Sequence, residues 1–417
     1  MSLKRSLAPL LLLALAMATG FMAMGSFAMV QEGAKAELGL SDYSLGIIQG
    51  VGAAVPLVLF SIPLGLMVDR FNRVRLLVAL AAVWTAGTLL TAFAGGVTSL
   101  FIARMLTGIG TTGALTAALS LGADWCAPAE RGRAMLIVSL GKALGTGLGF
   151  AAAGWLFGLF LHGHGPALGG LPWRNVHFVL AGVCTIALLP LLLLREPART
   201  EVAAGVHAPF RVVAAELWER RGFLLPLFVG QTSVVMADVA AGVWAAPVLA
   251  RSYGLGPEQV ASWMGALIFA AGVGGAVAGG LAADWGQKRG TRGGILTGAV
   301  VAAAIGVPMA LFPIMPSVQG FAVLLGILVL CGALTGVVTS VALTVLLPNE
   351  LRGLSIGAFI AIAGLIGYGI APTLVVFTSG QLGGEAHLGE ALAIVGVIVS
   401  LASVGAFWLS VRRAPII

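Results

Sequence analysis

Apolar runs close to 20 residues long recur from one end of this 417-residue chain to the other. As a helix, a run of that length spans about 30 Å, the thickness of a bilayer's hydrocarbon core. Lipid offers no hydrogen bonds, so each crossing segment must pair its own backbone groups, and only helices or closed barrels do so. The runs here are continuous rather than alternating, which excludes barrel strands. Charged residues make up 9% of the chain, against roughly 25% in a soluble domain. With a mean hydropathy of +1.04, the chain reads as an all-α integral membrane protein.

Twelve spans are expected, near 7–30, 45–68, 75–95, 98–123, 134–160, 174–195, 223–250, 259–283, 293–312, 319–347, 354–379 and 389–411. The first follows Lys4-Arg5 and resembles a signal peptide, but its apolar run continues past Phe27. That exceeds a cleaved core of about 7–15 residues and predicts a retained span. With Lys4 in the cytoplasm, 18 of the 23 basic residues fall on that side. Lys35, Arg174 and Arg251 fall outside, while Arg104 and Lys142 lie within spans. This is the positive-inside pattern, and it predicts a protein of the cytoplasmic (inner) membrane with both termini cytoplasmic. The net charge of +7 is therefore topological, and no nucleic-acid partner is needed. Residues 196–222 form the one long polar internal stretch. They are expected to be a linker ending in a short amphipathic helix on the membrane surface. The chain so divides into a bundle over 1–195, the linker 196–222 and a second bundle over 223–417.

Between spans two and three lies a charged knot, Gly65-Leu66-Met67-Val68-Asp69-Arg70-Phe71-Asn72-Arg73-Val74-Arg75. A weaker copy, Gly280-Leu281-Ala282-Ala283-Asp284-Trp285-Gly286-Gln287-Lys288-Arg289, follows 215 residues later, about half the chain length. A repeat of that period predicts two pseudo-symmetric six-helix bundles. Gly141, Gly145 and Gly149 form a flat stripe in span five, with a similar one at Gly275 and Gly279 in span eight. Both are expected at a close interface between the bundles.

These residues resemble the major facilitator superfamily. Gly65, Asp69, Arg70, Arg73 and Arg75 match its signature between helices two and three. Arg104-Met105-Leu106-Thr107-Gly108-Ile109-Gly110 is similar to its fourth-helix pattern, and the span-five glycines are similar to its fifth-helix pattern without the usual Pro. Glu37-Leu38-Gly39-Leu40-Ser41-Asp42 resembles Spinster-type and bacterial organic-anion carriers. Where those carriers place an Asp and a Glu, this chain has Ala23 and Thr111. The resemblance implies a cytoplasmic latch. Gly65 would let span two approach a neighbouring helix, and Asp69, with Arg70 and Arg73 beside it, would face Arg352 at the eleventh helix. Asp284 would face Arg131 in the second copy. The alternative is that Asp and Arg merely terminate a hairpin.

Three charges lie well inside spans: Arg104, Lys142 and Asp238. Each costs at least about 2.5–3.5 kcal/mol if it faces lipid, so each is a candidate functional group. At about 1.5 Å per residue, Arg104 and Asp238 lie at similar depths, roughly 9 and 8 Å below the outer boundary. The resemblance puts their helices on opposite sides of a central cavity, so they would pair or share a ligand. The alternative holds Arg104 on carbonyls of its own bundle. Lys142, roughly 12 Å from the inner face, is expected to anchor an anion; a neutral Lys or a pairing with Asp238 is the alternative. Gln231 and Tyr368 are candidate polar liners of the site.

Other constellations are absent. Cys126, Cys184 and Cys331 are an odd count in apolar surroundings, expected as buried residues without a disulfide. His162, His164 and His177 fall in or near one outer loop, expected at the surface and without a metal. No phosphate-binding loop and no catalytic triad is present, so neither ATP drive, an enzyme nor a cofactor is expected. The resemblance implies a secondary transporter, expected to be a monomer, and two intramembrane cations against one acid favour a small organic anion, carboxylate in type, as its substrate. It would work by alternating access, with protons as the candidate coupling ion and Asp238 as their carrier. Export of amphiphilic or lipid-like compounds or drugs is the alternative, since Met17, Met22, Met24 and Met29 would give the first helix an adaptable face. A membrane-embedded enzyme or a non-transporting receptor is the alternative of another class.

Overall fold

The computed structural model describes residues 3–126, 130–165, 168, 170–198, 218–347, 359 and 361–415. Among them every regular element is helical. The first half contains α1 (Leu3–Leu38), α2 (Asp42–Gln49), α3 (Val51–Arg70), α4 (Arg73–Ala92), α5 (Val97–Trp125), α6 (Arg131–Leu161) and α7 (Pro172–Leu188). The second contains α8 (Arg221–Tyr253), α9 (Pro257–Lys288), α10 (Thr297–Met309), α11 (Val318–Leu346), α12 (Gly369–Gln381) and α13 (Leu388–Arg413). Among the described residues, 11 helices are long and apolar enough to cross a membrane. With α3, 20 residues long, they make up the twelve expected spans. Span two is broken at Gly50 into α2 and α3.

The loops follow from capping chemistry. Ser41 accepts the Ser44 N–H at the start of α2, and Asn72 accepts the Arg75 N–H at 2.8 Å to start α4. Each satisfies an N–H that has no partner within its helix. The charged knot therefore carries a helix cap within it.

Contacts divide the chain into two units. The first holds Met1–Val202 together with Leu249–Phe269; the second holds Ala203–Val248 and Ala270–Ile417. The last turn of α8 and the first half of α9 thus pack with the first unit.

In the first unit, α6 lies along α1. A Cβ added to Gly141 would land on the Ala14 backbone, and one on Gly145 on the Ala18 backbone. In the second unit, Gly275 and Gly279 meet Leu330 and Leu334 of α11 in the same way. This corrects the expectation that the stripes join the two bundles: each is used inside its own unit. Lipid supplies no hydrophobic drive, so helix pairs gain most where bare backbone lets them touch. A second glycine row of α6 faces the start of α9, where Gly147 meets Gly265 and Gly154 meets Pro257. The second unit is centred on Phe223, Leu227, Leu296, Val338 and Phe407.

Candidate functional site

In the first unit the two intramembrane cations converge on α1. Arg104 is buried. From α5 it donates through Nη1 to the Ala23 carbonyl at 3.2 Å and through Nη2 to the Met24 carbonyl. Its guanidinium stands 5.4 Å from the Phe27 ring. Lys142 reaches α1 from the other side, out of α6, and its exposed side chain puts Nζ 5.0 Å from the Phe21 ring. Phe21 and Phe27 lie six residues and about 120° apart on α1, Phe21 half-buried and Phe27 wholly buried against His177. The two cations therefore meet the same stretch of α1 on different rings. Among the described residues of the first unit no carboxylate pairs with either. The carbonyl contacts match the alternative weighed for Arg104, but they use only part of its fork of five donors. Thr111, standing where the resemblance expects a Glu, donates to the Thr107 carbonyl at 2.8 Å and lies 3.2 Å from that of Gly20.

A second charged cluster lies at the expected outer end and was missed in the sequence. Arg251, in the last turn of α8, donates through Nη1 to Asp42 Oδ2 at 2.6 Å and through Nη2 to Asp42 Oδ1 at 2.7 Å. It also donates through Nη2 to Glu32 Oε1 at 2.7 Å and through Nε to Glu32 Oε2 at 3.2 Å. Lys35 reaches Asp42 Oδ1 at 2.7 Å. Burial alone would raise the Asp42 carboxyl, but the hydrogen bonds from Arg251 and Lys35 outweigh it and hold it below its ordinary value. Beside this cluster, Arg174 Nε and Trp173 Nε1 donate to Glu37 at 3.0 and 2.6 Å. The signal was available: the three basic residues outside the positive-inside bias are the three paired here, each with an acid of segment 32–42.

At the other end, the knot is partly built into the first unit. Arg73 is buried and donates to Asp124 at 2.5 Å, Glu196 at 2.7 Å and Ser120 at 3.1 Å. Those bonds tie the start of α4 to the end of α5 and to the chain after α7. A Cβ on Gly65 would meet nothing within 4 Å among the described residues, and the start of the eleventh helix that it was expected to approach lies outside them; α3 meets α5 at Leu64 and Gly113. Arg70 and Asp284 are exposed, and Arg131 donates to the Ala123 carbonyl at 3.1 Å. The Asp69 side chain, Arg352 and nearly all of the linker helix fall outside the described residues.

In the second unit, Gln231 is buried, and its Oε1 accepts from Thr339 at 3.0 Å. Tyr368 closes a π-helical turn, Gly364–Tyr368, that leads into α12. Such turns often mark functional sites. Gly367 in that turn lets Val235 of α8 approach closely. Asp238 of α8 lodges its carboxyl against Gly332 of α11.

Two further expectations are corrected. His177 is wholly buried, its Nδ1 2.8 Å from the Trp173 carbonyl; it sits within α7 rather than in the loop. Met17, Met22 and Met29 are core residues, so of the four methionines only Met24 keeps a partly exposed side chain for the adaptable face expected of α1. The three cysteines are free and buried, and no metal-binding group occurs among the described residues.

Comparison with known proteins follows the same lines. Residues 11–372 match the family Major Facilitator Superfamily. Over 49% of the chain, the sequence is 30% identical to the 3-(3-hydroxy-phenyl)propionate transporter of Escherichia coli, covering 47% of that protein. Over 43% of the chain it is 29% identical to the gallate transporter of Pseudomonas putida, covering 37% of it. The matched stretches thus span less than half of these relatives' length. Among solved structures, the chain resembles a bacterial homologue of the human lysosomal transporter Spinster, crystallised in an inward-facing, unoccupied conformation. The TM-score is 0.80 at 20% identity, over 97% of this chain and 96% of the other.

Proposed function

The chain belongs to the Major Facilitator Superfamily, and on that premise we propose that it moves a small organic anion, an aromatic carboxylate in the first instance. One observation carries this reading: two intramembrane cations, Arg104 and Lys142, meet the same stretch of α1, one at Ala23, Met24 and Phe27 and the other at Phe21. The unused guanidinium donors and the Lys142 ammonium suit a carboxylate, and the half-buried Phe21 ring beside Lys142 suits an aromatic body. The aromatic acids in the names of two relatives support the same class.

The halves 1–195 and 223–417 rock about this site in the cytoplasmic membrane, with both termini inside. Asp69 with Arg352, and Asp284 with Arg131, act as the inner latch. The Arg251–Asp42–Glu32 cluster is its outer counterpart. Cation re-entry at Asp238 drives transport, a proton being the simplest occupant.

The test is uptake of gallate and related aromatic carboxylates by proteoliposomes. A hydrogen bond to a charged group is worth about 1.5–3 kcal/mol, so Lys142→Gln should raise KM by roughly 10- to 150-fold. Lys142→Arg should lose much less. Uptake no greater than in empty liposomes, or an unchanged KM in Lys142→Gln, would remove the proposal.

A further inference from the structure

The second unit carries an open groove between α8 and α13, at the end where α8 begins and α13 finishes. Arg221 opens α8 and Arg413 closes α13, and both stand on its rim. Val229 and Gly405 lie deeper, each eight residues in from its arginine, or about 12 Å along the helix. Gly222, Leu225 and Val229 share one face of α8, and Gly405 and Leu409 share one face of α13. A Cβ on Gly222 or on Gly405 would meet nothing within 4 Å among the described residues, so both glycines keep the groove open. On the buried side the helices close together, with Phe407 of α13 lying on Gly230 of α8. The space between them is about 710 Å³, within the range of about 300–1,000 Å³ typical of ligand sites.

The two ends of this groove differ in chemistry. Its deeper wall is apolar, and Leu225 and Val229 are 51% and 52% exposed there. Its rim is basic. Arg221 gives one N–H to the Trp218 carbonyl at 2.9 Å, which uses only part of its fork of donors, and Arg413 is exposed. The rim also stands at the level of the membrane boundary. Trp218, Trp285 and Trp408 are exposed, and each carries a guanidinium on its ring: Arg221 at 5.2 Å, Arg289 at 3.6 Å and Arg412 at 3.7 Å. Arg292, in the loop after α9, donates to the Ala414 carbonyl at 2.7 Å, which holds that loop beside the end of α13. Exposed tryptophans and snorkelling arginines gather where hydrocarbon meets water.

A soluble anion would use the rim and leave the wall bare. An apolar chain would use the wall and leave the arginines unmatched, and a zwitterionic lipid would bring a cation of its own to them. An anionic head on acyl chains matches both ends, and basic pockets between spanning helices hold such heads. Glu219, the acid of the lining, offsets one of the two arginines, so a single phosphodiester charge suffices. We propose that this groove binds one anionic phospholipid, with its phosphate between Arg221 and Arg413 and its chains along Leu225, Val229 and Leu409. The site shares no residue with Arg104 or Lys142, so it stands or falls apart from the transported anion.

The test uses purified full-length protein in detergent, with phosphatidylglycerol or phosphatidylcholine of the same chains added. Native mass spectrometry counts what stays bound. One phosphatidylglycerol should be retained in preference to phosphatidylcholine. Arg221→Gln combined with Arg413→Gln should weaken its retention about 30-fold. Gly405→Leu places a side chain in the groove without changing its charge and should displace the lipid as well. Arg289→Gln removes a charge from the same end but outside the lining and should retain it. The thermal midpoint without lipid shows that each variant is folded; if one pair of changes unfolds the chain, the other still reads the site. Equal retention of the two lipids would make this an ordinary contact with the bilayer and overturn the proposal. So would retention unchanged in both groove variants, or lost equally in Arg289→Gln. Displacement by glycerol phosphate at the concentration of the lipid would assign the rim to a soluble anion instead. No lipid retained, with a midpoint lowered in Gly405→Leu, would give the groove to the linker and overturn the proposal too.

Discussion

Replacing Arg251 with alanine should free the segment Leu249–Phe269 from the first unit. Arg251 makes four N–H···O contacts, two to Glu32 and two to Asp42. Breaking a fully buried pair costs about 3–5 kcal/mol, whereas an exposed pair is worth about 0–1 kcal/mol. The Glu32 side chain is 30% exposed and belongs near the lower figure. Asp42, at 1% exposed, belongs near the upper one. Lys35 stays on Asp42 at 2.7 Å, however, so the carboxylate is not left bare. A loss of about 2 kcal/mol is reasonable, equivalent to roughly a 30-fold rise in the opening constant. Hydrogen exchange read by mass spectrometry measures that constant directly. Peptides covering 249–269 should exchange roughly 30-fold faster in Arg251→Ala, with α4 unchanged. Arg251→Lys should fall between, because an ammonium cannot reproduce the fork. Equal acceleration in every helix, or none in 249–269, would refute the reasoning.

Further outcomes follow from the same contacts. Asp42 titrates below its ordinary value when clamped, so a proton binds the released form more tightly. Its contribution should be intact above about pH 5 and lost as pH falls through the folded value, below 3.8. The thermal midpoint of the protein should show that acid limb, and Asp42→Asn should flatten it. Arg73→Ala removes the cation that Asp124 and Glu196 share in a largely buried setting and should cost about 3 kcal/mol, read as a lowered midpoint with the other helix ends intact. Gly145→Ala forces a methyl into the Ala18 backbone and should cost at least about 1–3 kcal/mol. Gly65→Ala meets open space and should leave the midpoint alone; lost uptake at unchanged stability would then point to a contact that Gly65 makes in another conformation, as the latch requires.

How much of this was legible depended on where a charge carries a cost. The spans were read from apolar length because hydrocarbon thickness is a fixed ruler; the break at Gly50 and the π-helical turn at Gly364–Tyr368 escaped. Arg104, Lys142 and Asp238 stood out because a charge inside an apolar run is expensive unless it has a role. The meeting of Arg104 and Lys142 at α1 was not visible. Phe21 receives Lys142 only because the glycine row of α6 sets that helix against α1, and small residues specify close approach without naming the partner. The same ambiguity sent both glycine stripes to the wrong interface. Arg251, Glu32 and Asp42 raised no alarm, since a charge at a helix end costs almost nothing and reads as topology. Yet Arg251 and Glu32 are 219 positions apart in sequence and meet with both carboxylate oxygens engaged. In a chain with so few charges, a helix-end charge that runs against the topological bias marks a contact as surely as one inside a span: in each case something must be standing opposite it.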